Sequence, residues 1–408
     1  METGTSVIGT ERIIIITLAN TMMTENQLSG GDRVFVELSK KLNPNNFVVK
    51  VVTTEVGEKL WKPANPSQLI ILPSTKLESL MGLAAVPIVY SIRSLTAFIR
   101  TYRLVSRDAS AILYSSSDFF PDTIPAFMIK LLKKNVKWIS RVYHMIPSPS
   151  RRKGNLILNI LSFASQRMSI SLMKKKSDLI IGLNEDVQAD LATLGVPSSR
   201  LAISGAGIDI DLINSVDPRP EQYDGVFLGR IHPSKGIFDA LDVWKSVVNV
   251  RRSARLAIIG GGDNDLIALL RKRILEYDLV ENVDYLGFIE SDRVVYSIMK
   301  SAKLFIFADH EAGWSLAACE AMACGLPVVG YELQIFGSVF KKGFVTVPLF
   351  DTHKFASQVL LLMNDEKWRM KLQEEAHEQA RLFDWKQVAD DFATLTFLCF
   401  GKDTSSPS

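Results

Sequence analysis

Regular patterning begins with Ile13–Leu18, a short apolar run that gives way to a polar loop, Ala19–Gly31. Asp32–Leu42 then places Val34, Leu38 and Leu42 four apart, the period of a helix with one buried face. Phe47–Thr53, Leu69–Leu72, Ala111–Ser115, Val136–Val142 and Leu179–Gly182 are further strand-sized apolar runs, separated by helix-length segments. A second series follows Gly205. Strands at Gly225–Gly229, Arg255–Gly260, Val283–Leu286, Leu304–Phe307 and Val328–Tyr331 alternate there with helices at Gly236–Val248, Asp263–Glu276, Ser291–Lys300 and Leu316–Ala323. Such alternation builds parallel sheets covered on both faces. The pattern therefore predicts an α/β chain of two doubly wound domains facing each other across a cleft.

The joint is expected near Gly205–Pro220, where Gly, Asp and Pro gather. The predicted organisation is an N-terminal domain over residues 1–205 and a C-terminal domain over 206–385. A terminal helix over 386–400 is expected to pack back on the N-terminal domain, ahead of a disordered Ser-rich tail over 401–408. Ligands of such sheets bind beyond the carboxyl ends of the strands. The loops after Leu18, Val142, Leu228, Ile259 and Phe307 are thus where chemistry is expected.

Composition narrows the class. At 47% hydrophobic and 22% charged, the 408 residues read as globular with ample core material. No apolar run approaches the roughly 18 residues a membrane span needs. No basic segment leads into an apolar one at the N-terminus, so no secretory leader is expected. Cys319, Cys324 and Cys399 form neither a paired framework nor a metal-ligand spacing, which points to a reducing, cytoplasmic setting with Cys319 and Cys324 as buried thiols. The net charge of +3 hides an asymmetry: residues 1–205 carry 25 Lys/Arg against 15 Asp/Glu, and the remainder 22 against 29. The basic half suits an anionic partner, or simply reflects Lys-rich helix ends.

Several loops carry candidate chemistry. Gly229–Gly236 follows a strand and opens a helix, and its Arg230 and Lys235 can converge on one anion beside the helix N-terminus. Taken alone, two loop cations are more often solvated surface charge. Gly30-Gly31 permits close approach of backbone to a phosphate, or is only a tight turn. Gly260–Gly262 precedes Asp263, a helix-capping candidate. Ser315 is placed to cap the helix that begins at Leu316, and Glu320 lies inside that helix among apolar neighbours. A carboxylate there needs a partner: a ribose diol serves, and so does an arginine or a backbone group.

Gly-Arg-x4-Lys-Gly at 229–236 and Gly-Trp-Ser-Leu-x3-Glu-Ala-Met-Ala-Cys-Gly-Leu-Pro-Val-Val at 313–329 together resemble the retaining glycosyltransferases with two Rossmann-like domains, the GT-B fold and family 4 (glycosyl transferases group 1). The resemblance is strong over residues 225–331 and mostly topological before them. It implies an enzyme, a retaining hexosyltransferase, that moves a sugar from a nucleotide-diphosphate donor to an acceptor hydroxyl on a glycan or a lipid-linked molecule. By that resemblance Arg230 and Lys235 hold the diphosphate, Glu320 the ribose, and the backbone around Gly313, Ser315 and Leu316 a phosphate. Gly30 and Gly31 face the diphosphate, His144 lies near the transferred sugar, and backbone around Gly287–Ile289 meets the base. One departure stands out. The family's Glu-x7-Glu would put its first glutamate, a contact of the donor sugar, at Ala312, whereas Glu311 comes one residue early. Either the loop shifts so that Glu311 serves, or the contact is lost. The implied chemistry needs electrostatic preorganisation rather than a protein nucleophile, so no metal and no cofactor beyond the nucleotide sugar is expected.

Two stretches of the basic half suit a membrane surface. Gly154–Met173 lies between Arg151-Arg152-Lys153 and Lys174-Lys175-Lys176, too polar to span a bilayer, and Met81–Arg107 is a second apolar region with basic flanks. Each fits peripheral contact with an anionic inner membrane face, or an ordinary domain helix with lysines at its rim. Competing functions are a GT-B epimerase or phosphorylase and a catalytically weak sugar-nucleotide-binding protein, which the Ala312 position keeps open. Nucleic-acid binding is not expected, because no recognised motif is present.

Overall fold

The computed structural model describes residues 12–20, 30–74, 86–105, 111–151, 156–220 and 223–400. The chain divides into two compact units: residues 1–205 with 388–408, and residues 206–387. The expected disordered tail after Gly401 lies outside the described residues, as do most of the loop after Ala19 and the basic pair Arg152-Lys153.

The first unit holds a seven-stranded sheet: β1 (Ile13–Ala19), β2 (Phe47–Thr54), β3 (Gln68–Leu72), β4 (Ala111–Ser115), β5 (Lys137–Val142), β6 (Leu179–Gly182) and β7 (Leu201–Ile203). The strand order is β3-β2-β1-β4-β5-β6-β7 and every pairing is parallel. β4 is buried at all five positions, which is why it reads as an unbroken apolar run rather than an alternating one. On one face Ile16, Leu18, Leu113, Trp138 and Ile180 pack under helices that contribute Ala97, Ala126, Ile129 and Ile170. Elsewhere in the unit Tyr114 stacks on Phe35 at 3.9 Å and meets the Phe392 ring edge-on at 5.5 Å.

The second unit holds six parallel strands in the order β10-β9-β8-β11-β12-β13: β8 (Tyr223–Leu228), β9 (Leu256–Ile259), β10 (Val283–Gly287), β11 (Ala302–Phe307), β12 (Val328–Tyr331) and β13 (Phe344–Val347). Its larger core surrounds Trp244, fully buried among Leu241, Leu256, Ile258 and Ile306. Gly225 is required there, since a Cβ would lie 2.9 Å from the Trp244 ring.

The two-domain α/β class is that expected from the alternation of runs. Two strands escape the pattern. Leu201–Ile203 is three residues long, and Phe344–Val347 is three-quarters partly exposed, so neither makes a continuous apolar run. The expected strand Gly225–Gly229 begins instead at Tyr223 and ends at Leu228, and Arg255–Gly260 shortens to Leu256–Ile259 because Gly260 leaves extended geometry at φ 147°. Asp32–Leu42 is a helix that starts earlier, at Gly30. Cys319 and Cys324 are buried thiols, as their Ala-rich surroundings implied, and Cys399 is half-buried.

Candidate functional site

In each sheet the order of strand addition reverses at one place, and ligands of doubly wound folds bind at that switch point. In the second unit it lies between β8 and β11. The loops that leave those strands are Gly229–Gly236 and Ala308–Ser315; the first motif found in the sequence fills one of them and the second begins at the end of the other.

The two loops are built into each other. Gly229 N–H donates to Ile259 O at 3.0 Å and Ile231 N–H to Gly261 O at 2.8 Å, which pins the loop to the Gly260–Gly262 turn. A 3₁₀ turn at Pro233–Lys235 follows, capped by the ring of His232, whose Nδ1 accepts from Ser234 N–H at 3.2 Å. Gly236 then adopts φ 62°, and a Cβ on it would fall 1.8 Å from Ala308 O. Only glycine allows the turn and this approach together. His310 N–H donates to Ser234 O at 3.0 Å and closes the pair. Helix Ile237–Val250 starts here with no side chain on its first amides, so its N-terminus is left available to an anion.

Lys235 Nζ bonds to Asp309 Oδ2, and Asp309 is 5% exposed. Burial pushes the Asp309 carboxyl above its ordinary value, against the pull of Lys235, His310 and Arg230. His232 is held below its ordinary value by burial and by Arg230 and Lys235, while Glu311 acts the other way. Arg230, His232, Lys235, Asp309 and Glu311 thus share one electrostatic neighbourhood. Arg230 and Glu311 are exposed. Ala312, at the position of the expected glutamate, is half-buried against the apolar cluster of Val226 and Ile259. His310 Nε2 lies 3.0 Å from Asp239 Oδ2, which also accepts from Tyr331 OH at 2.9 Å, so the first turn of the helix is fastened to the β11 loop.

Ser315 caps helix Leu316–Ala323 as its position implied, its Oγ accepting from Ala318 N–H at 3.2 Å. Gly313 lies two residues before the cap and Leu316 opens the helix. Glu320, half-buried, accepts from Tyr296 OH at 3.3 Å. Tyr296 is thus one protein partner of this carboxylate. The Glu320 charge adds to burial in raising the Cys324 thiol to about 12 and in raising Tyr296 and Cys319.

The first unit gathers the remaining candidates at its own strand ends. Gly30 and Gly31 open helix Gly30–Lys41, and a Cβ on Gly31 would stand 3.2 Å from the ring of Tyr143, the neighbour of His144. His144 is exposed. Its carbonyl accepts from Gln166 Nε2 at 2.7 Å. At the switch point between β1 and β4, Asn20 N–H donates to buried Asp122 at 2.7 Å, and Arg93 Nη1 to Asn20 O at 2.9 Å. Asp309, Tyr296, Asp118 and Gln166 were not singled out from the sequence. Asp309 alone had a signal there, two residues past a strand end. Among the described residues no three His, Cys, Asp or Glu side chains gather as a metal ion would need.

Two parallel α/β domains, each with its loops at a switch point, define the GT-B fold. Residues 211–379 match the family model described as Glycosyl transferases group 1. A Mycobacterium leprae phosphatidyl-myo-inositol mannosyltransferase is 30% identical over 193 residues, 45% of this chain and 50% of that protein. A Jonesia denitrificans D-inositol 3-phosphate glycosyltransferase is 29% identical over 178 residues, 42% of each. The chain thus matches half or less of the length of these relatives. Among solved structures, Anabaena HepE in complex with UDP-glucose superposes with a TM-score of 0.69 at 14% identity, covering 94% of this chain and 99% of that one. Sucrose-phosphate synthase from Thermosynechococcus elongatus gives 0.73 at 16%, covering 96% and 100%. At such identities the likeness is one of fold.

Proposed function

We propose that the protein is a retaining glycosyltransferase that moves a hexose from a nucleoside-diphosphate donor to an acceptor hydroxyl on a glycan or a lipid-linked molecule. The observation that carries this reading is the Gly229–Gly236 loop: two cations and an uncapped helix N-terminus at the switch point of a parallel sheet. A diphosphate needs such neutralisation to bind, and again to leave. Arg230 and Lys235 hold it, the backbone at Gly313, Ser315 and Leu316 adds N–H donors, and Glu320 accepts from the ribose. By resemblance Gly30 and Gly31 meet the diphosphate and His144 the transferred sugar. The bond from the anomeric carbon to phosphate breaks, the acceptor oxygen bonds to that carbon from the same face, and the acceptor proton passes to the departing phosphate. No protein nucleophile, metal or further cofactor enters. A thermal-shift panel of nucleotide sugars tests the reading, because a ligand that binds only the folded state raises its melting temperature. A panel with no stabilising member overturns it.

A second reading, a sugar-nucleotide-binding protein with little turnover, is favoured by Ala312, whose methyl packs inward where a sugar-contacting carboxylate is expected, while Glu311 is exposed. Binding without transfer would select it.

The partner we propose for the first unit is an anionic membrane surface, with the protein working at the cytoplasmic face. Helices Val86–Val105, Phe120–Leu132 and Leu156–Lys176 are neighbours in that unit. They expose Leu95, Ile99, Met128, Leu131, Leu132, Ile157, Ile160, Leu161 and Met168. In the last helix Ile170 and Met173 are buried as an ordinary surface helix would have them, but so are Asn159, Gln166 and Ser169, while those apolar residues face out. The sole carboxylate on the three helices, Asp122, is wholly buried, whereas Arg100 and Lys174–Lys176 are exposed. No described helix is long and apolar enough to cross a membrane.

A further inference from the structure

The segment that follows β5, Tyr143–Ser148, has no regular secondary structure, so its conformation depends on what its backbone groups bond to. One side chain supplies two of those bonds. Gln166, on helix Leu156–Lys176 and 0% exposed, donates from Nε2 to His144 O at 2.7 Å and accepts at Oε1 from Ile146 N–H at 2.7 Å. The same Nε2 donates to Asp118 Oδ2 at 2.5 Å. Asp118 follows β4 at the switch point of this sheet and is 4% exposed.

A carboxamide can turn over and exchange its oxygen and nitrogen. Here the two acceptors, Asp118 and His144 O, lie on one side and the N–H of Ile146 on the other. The polarity of the amide is matched at three points, which leaves it a single orientation. A buried carboxylate is costly unless it does this kind of work, and burial does push the Asp118 carboxyl up, against the Gln166 hydrogen bond and the nearby His144. From this geometry we infer that Asp118 and Gln166 are a positioning pair that fixes the backbone from His144 to Ile146 and so aims the His144 side chain. Neither touches a reacting atom; both act through His144. The inference rests on the reading of His144 as a residue of the transferase site.

The test uses the full chain with Gln166→Met, which keeps the volume and removes the amide, and Asp118→Asn, which keeps an acceptor oxygen and removes the charge. Hydrogen exchange of the Ile146 amide is followed beside steady-state transfer and affinity for the nucleoside diphosphate that stabilises the wild type. Gln166→Met is expected to lose protection at Ile146 and to lower kcat about 10- to 100-fold, the scale of a misplaced catalytic group, with nucleoside-diphosphate affinity unchanged. Asp118→Asn is expected to keep the protection and most of kcat. A Gln166→Met protein with wild-type exchange and kcat overturns the inference, and so does an Asp118→Asn protein that stays protected but loses turnover. Should the wild type transfer no sugar, the transferase reading fails while the exchange of Ile146 still decides whether the pair positions the loop.

Discussion

Lys235 and Asp309, 74 residues apart in sequence, are ion-paired at the switch point of the second sheet, with Asp309 almost wholly buried. The buried carboxylate holds the ammonium in place before any ligand arrives. On the proposed function, an arriving diphosphate brings a second anion to the same cation, and the uncapped helix N-terminus and Arg230 supply the rest of the neutralisation.

Lys235→Ala is expected to weaken nucleotide-sugar affinity at least tenfold, and also to destabilise the fold. The second effect comes from Asp309, which loses its cation inside the protein at a cost of about 1–3 kcal/mol. Its pH dependence follows from the direction of the shift. Burial raises the Asp309 carboxyl above 3.8. Without Lys235 it rises further, and a raised carboxyl group favours the fold when protonated and disfavours it once ionised. The cost of the substitution is therefore small near pH 4 and grows as pH rises through the folded-state value. Asp309→Asn in the Lys235→Ala background should restore stability at neutral pH without restoring affinity. Urea titrations at a series of pH values, with calorimetry of donor binding, separate the two. A pH-independent cost would contradict the assignment.

Glu320 carries a sharper test. A carboxylate that accepts from ribose hydroxyls distinguishes a ribonucleotide donor from its deoxy form, and a carboxylate that serves only protein partners such as Tyr296 does not. Glu320→Ala should weaken the ribonucleotide sugar by about 1.5–3 kcal/mol, the worth of a hydrogen bond to a charged group, and leave the deoxy donor nearly unaffected. Tyr296→Phe removes the 3.3 Å contact to Glu320 and should have a smaller effect on both donors. Equal losses for ribo- and deoxy-donors on Glu320→Ala would remove the ribose from this side chain.

Gly236→Ala probes the join between the two loops. The substitution places a methyl where Ala308 O already is, on a backbone at φ 62°. Loop and strand end must move apart, and strain of this kind costs on the order of 1–3 kcal/mol. Because Lys235 precedes this residue, donor affinity should fall together with the denaturation midpoint. Preserved affinity in a destabilised variant would show that the loop geometry is not what aims Lys235.

The sequence carried the repeating features of this molecule and missed the solitary ones. Parallel strands buried on both faces are unbroken apolar runs, so most of both sheets were legible, and so was the Ser315 cap. β13 was not, because three of its four residues are partly exposed. Gly236 was visible as a letter, but its clash with Ala308 belongs to the tertiary structure. Asp309 was passed over although it stands two residues past a strand end, since that position alone does not distinguish a carboxylate that will be buried against a lysine 74 residues away. Gln166 is one polar letter within Gly154–Met173, a segment legible only as an apolar stretch with basic ends, and is 0% exposed. In that helix pattern alone points the wrong way at Gln166, which is turned inward to bond with the His144–Ile146 segment while Ile157, Ile160 and Leu161 are left outside.

That inversion makes the membrane proposal testable by charge and by apolar contact separately. An exposed apolar face with lysines at its rim should bind vesicles that contain anionic lipid and ignore purely neutral ones, and high salt should release it as the screening length shrinks. Each lysine near an anionic surface contributes about 1 kcal/mol, so replacing exposed Lys175 and Lys176 by Gln should weaken binding on the order of 30-fold. Ile157→Asp and Leu161→Asp in the same helix remove apolar contact and add repulsion, and should abolish flotation with the vesicles. Both side chains are exposed, at 68% and 46%, so the fold should tolerate the changes and the melting temperature should hold. A wild-type protein that stays with the unbound fraction at low salt would mean that these helices serve another partner. Equal binding to neutral and anionic vesicles would leave the lysines without the role assigned to them.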